Sequence, residues 1–555
     1  MLASDNGGYN NNPALHMNPL RIVLPLLFSL SLWAAFPCAA EESPPQPPTE
    51  EAAFDVLEIQ VEGNTVLPAI DIERAVYPFL GEGKSIKGVE QARAALEQSY
   101  HEAGYLTVLV DIPEQAVESG LVRLKVTEGE VGRLKVTGSR YFSQGRIRAA
   151  VPSLAEGGVP DFNEVQRELG KLAQAQDRHI TPVLKAGRTP GKVEVELKVQ
   201  DQAPLHASLE LNNHYSANTS HTRLAGMVRY DNLWQREHSL SLQYQTAPER
   251  TDDAKVLSAT YVLPGSDGNT YALYAVRSRS NVAAAGDITV LGNGDIYGAR
   301  AIVALPGRPG YYHSLTLGAD YKDFKESVVL AGADTSVNTP IGYVPFTVQY
   351  SGTLQGEKRL DQFSASANFS LRGLADEVID CGGGDMQNEF SCKRYGAQPN
   401  YFYVRGDWQQ TRTLAGGIGL VAKIAGQLSG QPLVSNEQFV AGGADSVRGY
   451  LESEAAGDDG VRGMLELHSP SFGAMLSANV DDAHVLGFIE GAALHVTDAL
   501  PSQKSSYSLS SAGLGLRLKA WRKASLAADV AWPFKATANT SAGSMRVHFR
   551  MIYEF

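Results

Sequence analysis

The chain holds 555 residues with a formal net charge of -13 and three cysteines, and its mean hydropathy lies below zero. That length asks for more than one domain, and the acidic balance argues against nucleic acid as a partner. No internal stretch is long and apolar enough to cross a bilayer as a helix.

The longest apolar run, Ile22 to Ala40, follows Arg21 and ends on Ala39 and Ala40 before Glu41. It reads as a secretory signal peptide over residues 1–40, cleaved near Ala40. The sixteen residues before Met17 are polar and Asn-rich, unlike the basic start of a signal, so Met17 is a candidate true start. Cys38 leaves with the signal, and Ala35-Phe36-Pro37-Cys38 is a poor lipoprotein box. Cys381 and Cys392 then remain as an even pair in an exported protein, which suggests a disulfide, with two free thiols as the alternative. Residues 41–53 carry Pro44, Pro45, Pro47 and Pro48 and read as an extended linker.

From Phe54 to about Val199 the pattern is mixed α/β. A strand at Val56 to Val61 and a Gly63-Asn64 turn precede helical periodicity through Ile72 to Leu80 and Val89 to Ala103, then strands at Leu106 to Ile112 and Leu121 to Val126. The same order recurs as a strand at Val131 to Val136, a turn at Gly138, helices at Ser143 to Val151 and Phe162 to Ala175, and strands at Ile180 to Leu184 and Lys192 to Val199. Two small tandem domains follow, residues 54–128 and 129–201, each with an open sheet edge.

Beyond about Ala203 helical periodicity disappears. The last residues alternate strictly, with Met545, Val547, Phe549, Met551, Tyr553 and Phe555 on one side and Arg546, His548, Arg550 and Glu554 on the other. Ala524, Leu526, Ala528, Val530, Trp532 and Phe534 repeat the pattern. A ribbon apolar toward lipid and polar toward a wet lumen is an outer-membrane barrel strand; a half-buried edge strand of a soluble sandwich is the alternative for one such segment alone. Counting segments gives about sixteen antiparallel strands over residues 202–555. Tyr230-Asp231-Asn232, Pro264 to Asn269 and Pro306 to Pro309 are expected as short periplasmic turns, with a further turn at Trp521-Arg522-Lys523. Phe324 to Gly342, Arg372 to Asn400 and Ala425 to Gly460 are expected as longer outer loops, which puts the cysteine pair outside the cell.

Signals for catalysis are few. His101-Glu102 lacks a second histidine, Gly292-Asn293-Gly294 precedes no helix that could hold a phosphate, and Asp380-Cys381-Gly382-Gly383-Gly384-Asp385 lacks regular oxygen ligands for a cation. No enzyme, cofactor or metal is expected. One constellation stands apart: Gln438 to Tyr450 places Arg448 between Val447 and Gly449 in the longest late loop, where a guanidinium folded into the lumen needs a carboxylate partner.

Val447-Arg448-Gly449-Tyr450 matches the loop-six motif of the Omp85 superfamily, and the chain resembles in particular the two-partner secretion transporters of the hemolysin-activator and filamentous-haemagglutinin type. The first repeat resembles their first POTRA domain at Val61-Glu62-Gly63-Asn64-Thr65, Gly104-Tyr105, Ile112-Pro113-Glu114-Gln115 and Gly120 to Gly129. The resemblance implies a transmembrane β-barrel behind two POTRA domains in the periplasm. It implies a large secreted exoprotein substrate of adhesin or cytolysin kind, outer-membrane lipid around the barrel, and barrel-assembly machinery during biogenesis, with Tyr553 and Phe555 as the C-terminal assembly signal. It further implies that Arg448 pairs with the carboxylate of a Phe-x-Asp-x-Gly motif. The matching stretch here is Phe488-Ile489-Glu490-Gly491-Ala492, with glutamate for aspartate and alanine for the last glycine. The segment from Glu41 to Ala53 leaves little room for the plug helix that several relatives carry. The rival readings are an Omp85-type assembly factor that releases clients sideways into the membrane, and a passive porin, which the tandem repeats disfavour.

Overall fold

The computed structural model describes residues 53–555, apart from 118, 174, 266, 281, 282, 286, 287, 291, 330–335, 382, 383 and 502. The expected signal peptide and all but the last residue of the expected linker lie outside the described residues. The chain divides into two compact units, the first running to Ser139 and from Gln144 to Gln200, the second holding Arg140–Ser143 and Asp201–Phe555.

Two repeats make up the first unit. In the first, Glu58–Glu62 runs parallel to Leu121–Thr127, and Leu109–Asp111 runs antiparallel on the other side. The helix Ile86–Glu102 turns Val89, Ala92, Leu96 and Tyr100 inward at helical spacing, onto Val122, Leu124 and Val126 of the central strand. In the second repeat Lys192–Asp201 is central, between the parallel strand Glu130–Thr137 and Arg178–Ala186. The helix Phe162–Leu172 is capped by Asp161, whose carboxylate accepts from the amides of Asn163 and Glu164.

Each repeat turns out of the strand that runs parallel to its central strand through a glycine that nothing else could replace. At Gly63, with φ +89°, a Cβ would stand 2.4 Å from the carbonyl oxygen of Val126; at Gly138, with φ +83°, it would stand 2.3 Å from that of Val199. The first turn is tied further by Glu128, which accepts from the amide of Thr65 at 2.7 Å and that of Val66 at 3.1 Å. Asn64 Oδ1 accepts from Tyr100 Oη at 2.6 Å.

One strand of this unit escapes the sequence pattern: Gly81–Lys84 pairs with Phe54–Val56. It is glycine-rich and has no apolar alternation, so periodicity has nothing to register. The helix expected to reach Leu80 ends at Val76 and gives way to a 3-10 turn over Tyr77–Phe79. Pro78 has no N–H to continue the ladder.

The second unit is a closed antiparallel barrel of sixteen staves, from Leu205–Asn212 to Arg546–Glu554, each paired with the next and the last with the first. The eighth stave is interrupted at Val344, between Ser336–Tyr343 and Pro345–Gln355. Closure satisfies the backbone of every stave, which a membrane-crossing sheet requires. Side chains alternate as a barrel in lipid demands. Val547, Met551 and Tyr553 of the last stave are exposed on the outer face, and His548 is buried toward the lumen.

Two expectations about connections are corrected. Tyr230, Asp231 and Asn232 do not turn but continue the stave Arg223–Leu233, and the turn falls on Trp234 to Glu237, with Trp234, Gln235 and Glu237 at positive φ. Asp231 stays in the strand because it has inward partners, Arg229 Nε at 2.8 Å and Ser239 Oγ at 2.5 Å. The second correction is at Phe324 to Gly342, where instead of a loop Tyr311–Val329 and Ser336–Tyr343 pair in register from Lys322↔Tyr343 to Val329↔Ser336. The expected turn at Trp521 and Arg522 has both residues at positive φ between adjacent staves.

Candidate functional site

The connection between Gly419–Leu428 and Asp459–His468 is a folded hairpin inside the barrel. Phe439–Ala441 pairs antiparallel with Ala455–Gly457, and the residues between them form its tip. Gly442, Gly443 and Gly449 all have positive φ, and a Cβ on Gly443 would meet the Glu452 carboxylate at 2.1 Å. Only glycine allows this tip to fold so tightly.

Arg448 at the tip is 2% exposed. Its Nε donates to Glu490 Oε1 at 2.8 Å and one terminal nitrogen reaches the same oxygen at 2.5 Å. The other oxygen of Glu490 accepts the backbone amide of Arg448 at 2.6 Å. One carboxylate therefore holds both the side chain and the main chain of the motif arginine. Two more acids complete the site: Glu466 Oε1 lies 2.5 Å from the guanidinium, and Asp529 Oδ1 lies 3.3 Å from it. Asp529 is shared with Arg517, which reaches both its oxygens at 2.8 and 3.0 Å. The guanidinium carbon stands 3.5 Å from the ring centroid of Phe488, a cation–π contact in a desolvated place.

The other motif residues are fixed as well. Val447 is fully buried. The amide of Gly449 donates to His548 Nε2 at 2.9 Å, so this nitrogen is the unprotonated one. Tyr450 Oη donates toward the carbonyls of Lys535 at 2.9 Å and Ser510 at 3.1 Å, pinning the far side of the tip. Through these contacts the tetrapeptide touches all of the last five staves.

The structure thus brings Arg448, Glu490 and Phe488 together, and glutamate in place of aspartate spans the gap with both oxygens used. The space beside Phe488 comes from Gly513 on the neighbouring stave, where a Cβ would stand 2.3 Å from the phenyl ring. Sequence reasoning missed Glu466, Asp529, His548 and Gly513. The inward parity of Asp529 and His548 in alternating strands was their signal, and the register across strands was what it lacked.

Cys381 and Cys392 are joined by a disulfide with Cα atoms 5.4 Å apart. They lie in the connection between Arg359–Ser370 and Phe402–Thr413, Cys381 at the end of a short hairpin strand, Val378–Asp380 paired with Met386–Asn388, and Cys392 in the helix Glu389–Lys393. Phe390 of that helix packs with Tyr343, Tyr401, Leu433 and Val434 in a dry aromatic cluster at the same end of the barrel. Tyr553 and Phe555 stack edge to face at the C-terminus, ring centroids 5.0 Å apart.

Comparison with known proteins agrees with this architecture. Residues 54–129 match the family described as POTRA domain, ShlB-type, and residues 359–518, which contain Arg448 and Glu490, match that of the haemolysin secretion/activation proteins ShlB/FhaC/HecB. The chain is 21% identical over 506 residues to the outer membrane transporter CdiB of Dickeya dadantii, covering 90% of this chain and 87% of that one. It is 19% identical to the heme/hemopexin transporter protein HuxB of Haemophilus influenzae, over 74% of this chain and 72% of the other. Among solved structures, CdiB from Escherichia coli superposes with a TM-score of 0.62 at 19% identity, covering 93% of both chains. BamA from Haemophilus ducreyi lacking POTRA domains 1–3 gives 0.54 at 14% identity, covering 91% of this chain and all of that one. Over most of its length the chain is similar to two-partner secretion transporters of the bacterial outer membrane, with a ShlB-type POTRA match at its N-terminal repeat ahead of a closed barrel of sixteen staves.

Proposed function

We propose that this transporter exports one specific, large, unfolded and β-rich exoprotein, which its POTRA repeats capture in the periplasm and hand to the barrel lumen. Capture takes place in part by strand addition, in which backbone hydrogen bonds supply affinity and side-chain pockets supply choice. The edge best suited to it is Arg178–Ala186, nine residues long, with a partner strand on one side only and mostly exposed side chains. Folding of the exoprotein outside the cell biases the movement outward.

The observation that carries this reading is the pairing of a tandem capture module with a lumen loop fastened at Arg448, which a passive pore has no use for. Deleting residues 129–200 is expected to leave a heat-modifiable barrel in the outer membrane and to abolish export of the partner encoded beside it. Normal export by an inserted deletion variant would overturn the capture step.

The rival reading, sideways release of clients into the membrane, is tested at the seam between the first and last staves. Leu209 and Tyr553 are register partners there. A disulfide engineered between Leu209→Cys and Tyr553→Cys is expected to leave export intact. Loss of export on oxidation, with recovery on reduction, favours the assembly-factor reading instead.

A further inference from the structure

The lumen hairpin is fastened at its tip by Arg448, and at its base by a residue that no motif marks. Glu437 is 3% exposed. Its Oε1 accepts from Lys322 Nζ at 2.6 Å and from Tyr343 Oη at 2.6 Å, and its Oε2 from Tyr403 Oη at 2.8 Å. Those three donors stand on the seventh, eighth and tenth staves, whereas the tip is held by the twelfth to sixteenth. In a ring of sixteen the eighth and sixteenth staves face each other, so the hairpin is anchored on two opposed walls.

The two anchors have opposite polarity. At the tip the loop supplies the cation and the wall the acids; at the base the loop supplies the acid and the wall the cation. Gln427 ties the base into one unit, since its Nε2 donates to the carbonyl of Glu437 at 3.1 Å and to that of Asp458 at 2.9 Å, joining the outgoing and returning arms. A hairpin hinged only at its tip could swing with its base; one hinged at both ends cannot leave the lumen without breaking a buried ion pair, and a buried charge stripped of its partner is costly.

We propose that Glu437 is a positioning residue for transport, which with Lys322 holds the base of loop six against the wall opposite Arg448 and so sets where the tip can reach. The inference rests on the transport reading, but its first readout does not need export. Val434, 1% exposed, packs just before Glu437 and reports on the base. In Val434→Cys, a membrane-impermeant maleimide added to whole cells should react slowly. With Glu437→Gln or Lys322→Met added, the rate should rise at least tenfold, and with Arg448→Ala added it should stay low.

Without the reporter cysteine, Glu437→Gln and Lys322→Met should each cut export at least fivefold while the barrel remains heat-modifiable. Glu437→Gln with Arg448→Ala should export no less than Arg448→Ala alone. Lys322→Met leaves the loop sequence intact, so it serves if Glu437→Gln does not insert. An unchanged maleimide rate in both variants overturns the anchor, and a raised rate with normal export overturns its role in transport. If Arg448→Ala stops export and Glu437→Gln does not, this inference alone fails. If neither variant affects export, the loop-six reading fails with it.

Discussion

Deep in the barrel the loop is held by charge, and near the outer rim its neighbours are held by shape. Arg448 meets Glu490, Glu466 and Asp529 with every strong contact specified by geometry, while Phe390, Tyr401, Leu433 and Val434 fill a common apolar space with Ile341 and Tyr343. The difference lies in what each can tolerate. Apolar packing accepts substitutions of similar volume at modest cost, but a desolvated ion pair accepts almost none. The lumen site is therefore built to keep one position of the tip, and the apolar part of the rim to close over it with more latitude in sequence.

The largest effect should come from breaking the charged side. Arg448→Ala strips buried Glu490 of its cation, at a cost of about 3–5 kcal/mol. Glu490→Ala leaves the guanidinium to Glu466 and Asp529 and frees the backbone amide of the loop. Either should reduce export more than tenfold while the barrel still inserts. Glu490→Gln, which keeps size and removes charge, should lose most of this function, and Glu490→Asp should retain more. Export by both single variants and the double variant forms a cycle. Additive losses would mean that the two residues do not act as a pair.

This contrast also explains how much was legible in the sequence. Strict alternation in Arg546–Glu554 declares a barrel strand because one face must meet lipid and the other water, and the repeat declares itself because both copies need the same glycine at the same turn. Arg448 and Glu490 stood out as motif residues. Glu466, Asp529 and Glu437 did not, because a lumen contains many inward polar side chains and only the register of distant strands selects partners. Asp231 misled for the same reason: turn-forming residues and lumen-facing residues are of one chemical kind, and Asp231 bonds inward to Arg229 and Ser239, while Asn232 next to it serves the turn, accepting from the amide of Glu237 and donating to Gln235.

The rim also has charge-built points, Glu437 with Lys322 and a second one at Asp458. Asp458 is fully buried and accepts both terminal nitrogens of Arg394, one at 2.6 Å, together with the amides of Leu433 at 2.9 Å and Thr497 at 2.8 Å. Arg394 follows the disulfide-bearing helix, so this pair clasps the cysteine loop to the base of loop six. Asp458→Asn should loosen both loops and admit large antibiotics that the wild-type barrel excludes, with an effect smaller than that of Arg448→Ala on export. Unchanged antibiotic sensitivity would remove the clasp from the account. Phe390→Ala, which leaves the clasp in place and opens only a cavity, should raise sensitivity less.

The smallest expected effect concerns the pH response of the rim. Glu389 opens the helix beside Phe390 and is 3% exposed. Burial pushes its carboxyl up to about 7, and the nearby acids Glu377 and Asp376 add to the rise. A carboxyl whose pKa is raised in the packed state binds its proton more tightly there than when the loop is free. The packing is therefore strongest below the ordinary carboxyl range, weakens as pH climbs through that range to about 7, and levels off above it. Hydrogen exchange of residues 389–393, corrected for the intrinsic rate, should accordingly show less protection at pH 8 than at pH 5. Glu389→Gln should make protection independent of pH, because the amide imposes no charge on the dry cluster. If the substituted protein keeps the wild-type response, the titrating group lies elsewhere.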